Sequence, residues 1–258
     1  MANTLARSAR SDEVPQAPPR PRLEAISLFV DLDGTIAPLE LTPQAVGPDR
    51  ERRRLLDRLM AGLGGRLAVV SGRTLADLDR VLEGRIPALG AVHGLVRRAA
   101  DGRVFESVGR ERMAEAVSAL QAFAHADRAL LVEDKGAAAS LHYRRHPEAG
   151  AACRDVAIRL GARLGLDIQE GDMVVEVRER GPNKGAVVAA FMAEAPFAGH
   201  TPVFLGDDLT DEDGFRAARD LGGYGVVVGP RRPTLAGFAL PGVAAARTWL
   251  SAALDGSD

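Results

Sequence analysis

Acidic, hydroxyl and ammonium side chains recur in this sequence where a predicted strand ends or a helix begins. Four segments carry them: Asp31-Leu32-Asp33-Gly34-Thr35, Ser71-Gly72-Arg73, Asn183-Lys184, and Gly206-Asp207-Asp208 with Asp211. Short apolar runs predict buried parallel strands, and the carboxyl ends of such strands form the ligand-binding crevice of an open α/β sheet. The sequence therefore predicts that these side chains converge in one site.

Clustered carboxylates repel one another unless a cation neutralises them. Hard oxygen ligands in a small number suit Mg²⁺, which keeps several of its waters. Asp31 and Asp207 are the principal predicted ligands, and Asp33 and Asp208 complete the acidic set assigned to the metal. The sequence thus predicts Mg²⁺ as a cofactor.

The same segments suggest phosphoryl transfer, which depends mainly on positioning and on neutralising charge. Asp31 is the first acid after its strand and is the predicted nucleophile, forming an aspartyl-phosphate. Asp33 is predicted to protonate the leaving oxygen and then to activate water. Ser71 and Lys184 are predicted to bind phosphoryl oxygens, Lys184 from a helix N-terminus that itself favours an anion.

Each segment alone has an ordinary structural interpretation. Residues 31–35 could be a turn, residues 71–73 a loop and helix cap, and a single lysine is usually solvated. The order and spacing of all four segments together favour the catalytic interpretation.

Strands and helices are predicted to alternate, as in a parallel sheet with crossover helices. The predicted fold class is therefore α/β, a doubly wound, Rossmann-like parallel sheet formed by residues 23–95 and 181–258. Residues 96–180 have the order ββ-α-ββ-α-ββ and predict an inserted α+β cap domain. Residues 1–22, rich in Pro and Arg, are predicted to be a disordered tail.

Composition excludes several classes of protein. The 33 basic and 35 acidic residues give a net charge of −2, which does not favour a nucleic-acid partner. The apolar runs are too short for a membrane span, and we expect a cytoplasmic protein, a monomer or weak homo-oligomer, with a small-molecule substrate. The basic residues are almost all Arg; Lys135 and Lys184 are the only lysines, which raises the question of what requires an ammonium there.

At these residues the sequence resembles the haloacid dehalogenase-like (HAD) phosphatase superfamily and, more narrowly, the trehalose-6-phosphate phosphatases. The superfamily motifs correspond to residues 29–37, 71–73, 184–185 and 206–212. Family segments of the hinge and cap correspond to residues 90–94, 133–136, 141–144 and 175–178. The resemblance extends over residues 23–252.

This resemblance implies a Mg²⁺-dependent hydrolysis of trehalose 6-phosphate to trehalose and phosphate, the last step of trehalose biosynthesis. It implies a HAD-like core with a mobile cap that closes over the sugar. It also implies that Glu133, Lys135 and Glu176 contact sugar hydroxyls, which suits charge-assisted hydrogen bonds. The candidate substrate-binding residues outside that group are Arg73, His93 and His142. His93 is assigned to the hinge or the pocket, and His142 to the pocket or to a structural role.

Two alternatives share the core motifs. One is an enzyme for another sugar phosphate, such as sucrose 6-phosphate or a mannosyl phosphoglycerate, or a phosphomutase. The other is an inactive domain that binds sugar phosphates for regulation, against which the intact Asp31, Asp33, Lys184 and Asp207 argue.

Overall fold

A computed structural model describes residues 16–106, 110–230 and 233–255. In chain order its strands are β1 (Ile26–Val30), β2 (Leu67–Val70), β3 (Ala88–Ala91), β4 (Val96–Arg98), β5 (Val104–Glu106), β6 (Leu131–Asp134), β7 (Ala138–His142), β8 (Asp167–Gly171), β9 (Val174–Arg178), β10 (Thr201–Gly206), β11 (Tyr224–Val228) and β12 (Phe238–Leu240). Its α-helices are α1 (Arg50–Gly62), α2 (Leu75–Leu82), α3 (Arg110–Ala124), α4 (Gly150–Leu164), α5 (Lys184–Met192), α6 (Glu212–Asp220) and α7 (Val243–Leu254). Among the residues described, no helix is both long and apolar enough to cross a membrane.

The larger sheet has the order β12-β11-β10-β1-β2-β3-β4-β5, and its strands are parallel from β12 to β3. This confirms the predicted α/β class with a doubly wound core. The central strand β1 is buried along its whole length, as expected for a strand covered on both faces. Leu28 and Val30 point into one apolar cluster, and Phe29 points into the other, where it packs against rings of Phe191 and Phe197.

The register of the central strands sets the position of the predicted site. Val30 of β1 lies opposite Leu205 of β10 on one side and Val69 of β2 on the other. The residues that follow these three strands therefore emerge side by side at the carboxyl edge of the sheet. This is the edge at which Asp31, Ser71 and Asp207 were predicted to meet.

The cap contains helices α3 and α4 on a four-stranded antiparallel sheet with the order β6-β7-β9-β8. The predicted cap boundary at residue 96 is corrected by the structure. The hairpin β4–β5 continues the core sheet, because β4 pairs antiparallel with β3 after the chain reverses at residues 92–94. A hairpin pattern predicts the pairing of its own two strands but not the sheet that they extend.

The predicted disordered tail is also corrected in part. Residues 1–15 lie outside the described residues. Gln16 forms a parallel bridge with Phe238 at the edge of β12, and the indole Nε1 of Trp249 donates to the carbonyl of Pro19 at 3.0 Å. A Pro-rich composition does not reveal such contacts, because they depend on β12 and α7 near the other end of the chain.

A close glycine contact joins α6 to the core sheet. A Cβ atom at Gly214 would lie 2.6 Å from the ring of Phe204. Helix propensity favours Ala over Gly by about 1 kcal/mol, so a stabilising effect of Gly214→Ala would be expected from propensity alone. We instead expect Gly214→Ala to lower the free energy of unfolding by about 1–3 kcal/mol, because the cost of overpacking the new methyl group against Phe204 exceeds the gain in helix propensity. Urea denaturation measures this change.

The matched control is Gly237→Ala, because no heavy atom outside its own neighbours lies within 4 Å of a Cβ built there. We expect this control to change the free energy of unfolding by less than about 0.5 kcal/mol. Equal effects of the two substitutions would contradict the packing argument.

Candidate active site

The predicted nucleophile, Asp31, is held where β1 ends. Its backbone N–H donates to the carbonyl of Leu205 at 2.9 Å, so the chain is still tied to β10 at this residue. The side chain is buried, with 5% of the residue exposed, and its Oδ1 accepts from Lys184 Nζ at 2.9 Å. Asp31 is therefore fixed by its strand and paired with the predicted phosphate-binding lysine.

Lys184 begins α5 and is buried beneath the carboxyl edge of the sheet. Asn183 caps this helix by accepting from the backbone N–H of Ala186 at 3.0 Å. The ammonium also donates to Asp211 Oδ1 at 2.6 Å. Burial alone would lower the pKa of Lys184, but Asp211 and Asp31 outweigh it and raise that pKa above its usual range. Lys184 is therefore a permanent positive charge in the site.

Three carboxylates form the acidic cluster of the site. Asp31, Asp207 and Asp211 each place an oxygen within 4.8 Å of the others. Burial, together with repulsion from Asp211 and Asp208, raises the pKa of Asp207 to about 7. Burial and the neighbouring carboxylates likewise raise the pKa of Asp31 well above its usual range, although Lys184 opposes this. Hard oxygens whose ionisation is disfavoured without a cation fit a Mg²⁺ site.

The cluster contains two of the four predicted metal ligands, Asp31 and Asp207, and adds Asp211 in place of Asp33 and Asp208. Asp211 belongs to it, whereas Asp208 caps the following turn by accepting from the backbone N–H of Leu209 at 2.5 Å. Asp211 Oδ2 accepts from the backbone N–H groups of Asp207 and Asp208, both at 2.9 Å. Asp211 thereby fixes the loop that carries Asp207.

Two residues of the Asp31–Thr35 segment shape this cluster. Thr35 Oγ1 donates to Asp207 Oδ1 at 3.1 Å. Gly34 has a φ of +78°, and a Cβ there would lie 2.0 Å from Asp207 Oδ2. Glycine is required at this position both for its backbone conformation and for the approach of Asp207.

Asp33 is paired with Arg73 and stands outside the acidic cluster. The guanidinium donates to both Asp33 oxygens, from Nε at 2.6 Å and from Nη2 at 2.8 Å. Its Nη1 donates to the carbonyl of Pro43 at 2.9 Å and to the carboxylate of Asp77. Arg73, which was predicted to bind substrate, here orients the predicted acid–base residue, and Asp33 does not belong to the cluster of Asp31, Asp207 and Asp211.

Ser71 lies beside these groups at the end of β2. Its backbone N–H donates to the carbonyl of Gly90, and its Oγ accepts from the backbone N–H of Arg73 at 3.4 Å. The side chain is buried at the floor of the cleft, next to Arg73. Ser71 therefore faces the same cleft as Asp31 and Lys184.

The core and the cap together enclose one cleft of about 420 Å³. Asp31, Lys184 and Asp207 line its core side, and Lys135 and His142 line its cap side. Glu133 also lines the cap side, where its Oε2 lies 3.0 Å from His142 Nε2. Burial would raise the pKa of Glu133, but the His142 hydrogen bond and Lys135 lower it below its usual range.

Glu176 lies behind Lys135. Its Oε2 accepts from Lys135 Nζ and from Ser140 Oγ, both at 2.7 Å. Burial would raise the pKa of Glu176, but Lys135 and the other donors lower it to about 2. The carboxylate is buried and does not line the cleft, so its described contacts position Lys135.

Sequence reasoning left several residues of this site unassigned. Asp211 stands in the acidic segment after β10, but the sequence does not single it out, since acidic residues near the start of a helix also have an ordinary structural explanation. Ser140, which supports Glu176, has no sequence signal of its own. The segment from Leu39 to Pro43 lines the core side of the cleft, and only its position after the Asp31 segment could have indicated this.

Fold and site together define a class of protein. A doubly wound parallel sheet carries a buried Asp–Lys pair and an acidic cluster at its carboxyl edge, and an inserted α+β cap faces them. A solved phosphatase of the HAD superfamily from Bacteroides thetaiotaomicron has this fold, with a TM-score of 0.58 at 16% sequence identity. The chain therefore has the fold of the HAD-superfamily phosphatases.

Comparison with known proteins identifies the family to which the chain belongs. A family model described as trehalose-phosphatase matches residues 29–243. A probable trehalose-phosphate phosphatase of Sinorhizobium fredii is 41% identical over 217 residues, 82% of this chain and 80% of that protein. The trehalose-6-phosphate phosphatase of Escherichia coli is 38% identical over 229 residues, 86% of this chain and 84% of that protein. The chain therefore belongs to the trehalose-phosphatase family.

A solved structure agrees at the level of the fold. The C-terminal domain of C. albicans trehalose-6-phosphate phosphatase superposes with a TM-score of 0.81. The superposition covers 95% of this chain and 99% of that one, at 24% sequence identity.

The acidic cluster predicts a pH-dependent stability in the absence of metal. The unfolded chain releases the Asp207 proton near pH 4, whereas the folded protein holds it until about pH 7. Between these values the folded state binds more protons, so the free energy of unfolding falls as the pH rises. We expect this group to contribute a fall on the order of 2–4 kcal/mol between pH 4 and pH 8, measured by urea denaturation with a chelator present. Added Mg²⁺ should reverse the loss at pH 8, because the cation replaces the proton.

The control for this prediction is Asp207→Asn, which removes the titrating group. Its free energy of unfolding should change less with pH and should respond less to Mg²⁺. If the variant and the wild type gave superimposable pH profiles, the predicted coupling between Asp207 and the cation would be wrong.

Proposed function

We propose that this chain hydrolyses trehalose 6-phosphate to trehalose and phosphate through an aspartyl-phosphate on Asp31. One observation carries the proposal: the buried Asp31–Lys184 pair and the cap side chains Lys135 and Glu133 face a single cleft. The family membership and the substrate named for the relatives at 38% and 41% identity support it.

In the first step a carboxylate oxygen of Asp31 attacks phosphorus, and the bond from phosphorus to the sugar oxygen breaks. Asp33 gives a proton to that oxygen, so that trehalose leaves as a neutral alcohol. Both Asp33 oxygens accept from the fork of Arg73 beside the cleft, so Asp33 must release one of these bonds to present its proton to the leaving oxygen. Lys184, held by Asp31 and Asp211, offsets the negative charge of the phosphoryl group.

In the second step a water molecule attacks the phosphorus of the aspartyl-phosphate. Asp33, now ionised, takes a proton from that water, and the bond from phosphorus to Asp31 breaks to release phosphate. The proton taken from water leaves Asp33 protonated as at the start, and the Asp31 carboxylate is regenerated. The two steps return the residues to their starting states.

We propose Mg²⁺ as the cofactor of this site. Asp31 and Asp207 would hold it, with Asp211 as the third carboxylate of the cluster. A bound Mg²⁺ would supply neutralisation of the charge on the transferring phosphoryl group. Burial and the neighbouring carboxylates raise the pKa values of Asp31 and Asp207, and a cation held between them would favour the ionised form that a nucleophile requires.

The cap supplies groups that recognise a disaccharide. Lys135 offers ammonium donors, oriented by Glu176, and Glu133 offers carboxylate acceptors, oriented by His142. Each sugar hydroxyl both donates and accepts, so an ammonium and a carboxylate on one wall can bind neighbouring hydroxyls through charge-assisted hydrogen bonds. A cap closed over the cleft also keeps water from the aspartyl-phosphate until trehalose has left.

A substrate panel tests the proposal. We expect phosphate release with Mg²⁺ to be fastest, by kcat/KM, for trehalose 6-phosphate among sugar phosphates that include sucrose 6-phosphate, a mannosyl phosphoglycerate and glucose 6-phosphate. Asp31→Asn should lower turnover by about 10³-fold or more, because the nucleophile is lost. Its control, Asp220→Asn, changes an aspartate on the exposed end of α6 and should keep wild-type turnover.

Two outcomes of the panel would overturn the proposal. Faster hydrolysis of another sugar phosphate would assign the enzyme to that substrate. Equal, negligible phosphate release by the wild type and by Asp31→Asn would favour a binding domain without catalysis.

The two lysines provide a separate prediction. Lys135→Arg and Lys184→Arg keep the charge but replace a compact ammonium by a planar fork. The Lys135 side chain is only 8% exposed and is paired with Glu176, so the bulkier arginine cannot keep the same position. Lys135→Arg should therefore raise the KM for trehalose 6-phosphate by about tenfold. Lys184→Arg should instead lower kcat for both trehalose 6-phosphate and p-nitrophenyl phosphate. Steady-state kinetics on both substrates separate the two effects, and identical profiles for the two variants would contradict the assignment of one lysine to each half of the site.

A further inference from the structure

His93 occupies an unfavourable backbone conformation between core and cap. Val92 and His93 have φ angles of 48° and 53°, a left-handed region that a β-branched residue rarely adopts. The Ser71–Arg73 segment holds this turn, because the N–H of Val92 donates to Arg73 O at 2.9 Å and that of His93 donates to Ser71 O at 3.0 Å. A strained turn that persists in this way suggests a role for the side chain that it presents.

The imidazole of His93 lies between the Ser71–Arg73 segment of the core and Glu176 of the cap. A Cβ at Gly72 would lie 2.3 Å from His93 Nε2, so the ring rests directly on the Gly72 backbone. On its other side the same Nε2 lies 3.7 Å from Glu176 Oε1 in the cap. Glu176 Oε2 in turn holds Lys135. His93 thus connects the segment that carries Ser71 to the carboxylate that orients Lys135.

The cap end of this contact is unsatisfied. Glu176 Oε1 is buried and has no hydrogen-bond partner among the described residues, and the other ring nitrogen of His93, Nδ1, is buried and unpaired as well. Burial lowers the pKa of His93 to about 3, so the ring is neutral at pH 7 and has one N–H to donate. The distance of 3.7 Å exceeds a normal hydrogen bond by less than about 1 Å. A small movement of the cap toward the core would pair the two groups.

We propose that His93 is a positioning residue, which donates a hydrogen bond to Glu176 when the cap settles on the core and thereby fixes Lys135 for the sugar. This inference rests on the proposed function of the cleft. It makes sugar recognition depend on a cap seated over the phosphate-binding segment, because the turn that carries His93 is bonded to Ser71 and Arg73. With the cap closed, the Lys135 side chain would then be held in one orientation, and with the cap open it would be less ordered.

A double-mutant cycle tests the inference. His93→Ala should lower the ratio of kcat/KM for trehalose 6-phosphate to that for p-nitrophenyl phosphate by about tenfold, the effect of one hydrogen bond to a charged group. The loss should appear mainly in KM, and His93→Gln, which keeps a side-chain N–H, should restore part of it. In a Glu176→Ala background the same substitution should change the ratio by less than about twofold, because its partner is gone. Glu176→Gln serves as the second background if Glu176→Ala unfolds, as judged by thermal denaturation.

Glu133→Gln is the matched control background, because Glu133 is a cap carboxylate paired with His142 and not with His93. His93→Ala should retain its full tenfold effect there. A full effect in the Glu176 background would show that His93 does not act through Glu176. Equal losses on both substrates would assign His93 to the phosphate site and would also overturn the inference.

A spectroscopic measurement keeps this test separate from the proposed function. In ¹⁵N-histidine spectra of the full chain, Glu176→Gln should shift the His93 ring signals, identified by their absence in His93→Gln, whereas Glu133→Gln should shift those of His142. Unshifted His93 signals in Glu176→Gln would overturn the inference. If trehalose 6-phosphate were not hydrolysed, the proposed function would fail, and the cycle would be measured on the panel member that turns over fastest.

Discussion

Four ionisable groups, three of them buried and Asp207 half-buried, lie together where the parallel strands end, and the surrounding structure holds them in place. Asp31, Asp207 and Asp211 have their oxygens within 4.8 Å of one another, and the single ammonium that contacts two of them is Lys184. Three carboxylates and one ammonium leave an excess of negative charge in a poorly hydrated site, which is costly unless a cation or protons compensate. The same imbalance favours the binding of a cation among these carboxylates.

Backbone N–H groups and side chains of the fold stabilise these carboxylates through hydrogen bonds. The N–H groups of Asp207 and Asp208 hold Asp211, and Thr35 holds Asp207. Each of these bonds favours a particular carboxylate orientation before a ligand arrives, which is how preorganised sites lower the cost of reorganisation during the reaction. The cap uses a similar arrangement, because the buried carboxylate of Glu176 accepts from Lys135 and orients its ammonium.

The choice between arginine and lysine follows the geometry of each position. Arginines make the structural ion pairs, with forks on Asp33 from Arg73, on Asp79 from Arg98 and on Glu194 from Arg97. Both lysines of the chain lie at the cleft, Lys184 on its core side and Lys135 on its cap side. A planar fork matches a carboxylate, whereas a compact ammonium can contact separate oxygens from a single point.

The sequence by itself determined the α/β class and the edge of the sheet at which the chemistry lies, because the residues after successive parallel strands must emerge together. Its motifs also indicated Asp31, Lys184 and Asp207, since each follows or begins a regular element whose direction is fixed. The tertiary structure decided which side chains pair with which: Asp211 in the cluster in place of Asp33 and Asp208, Arg73 on Asp33, and Glu176 behind Lys135. It also decided that the hairpin β4–β5 extends the core sheet, that Gln16 pairs with β12 and that Pro19 contacts α7. These outcomes depend on distances of a few ångströms between residues far apart in the chain, such as Asp31 and Lys184, 153 positions apart, and local sequence patterns carry no information about such distances.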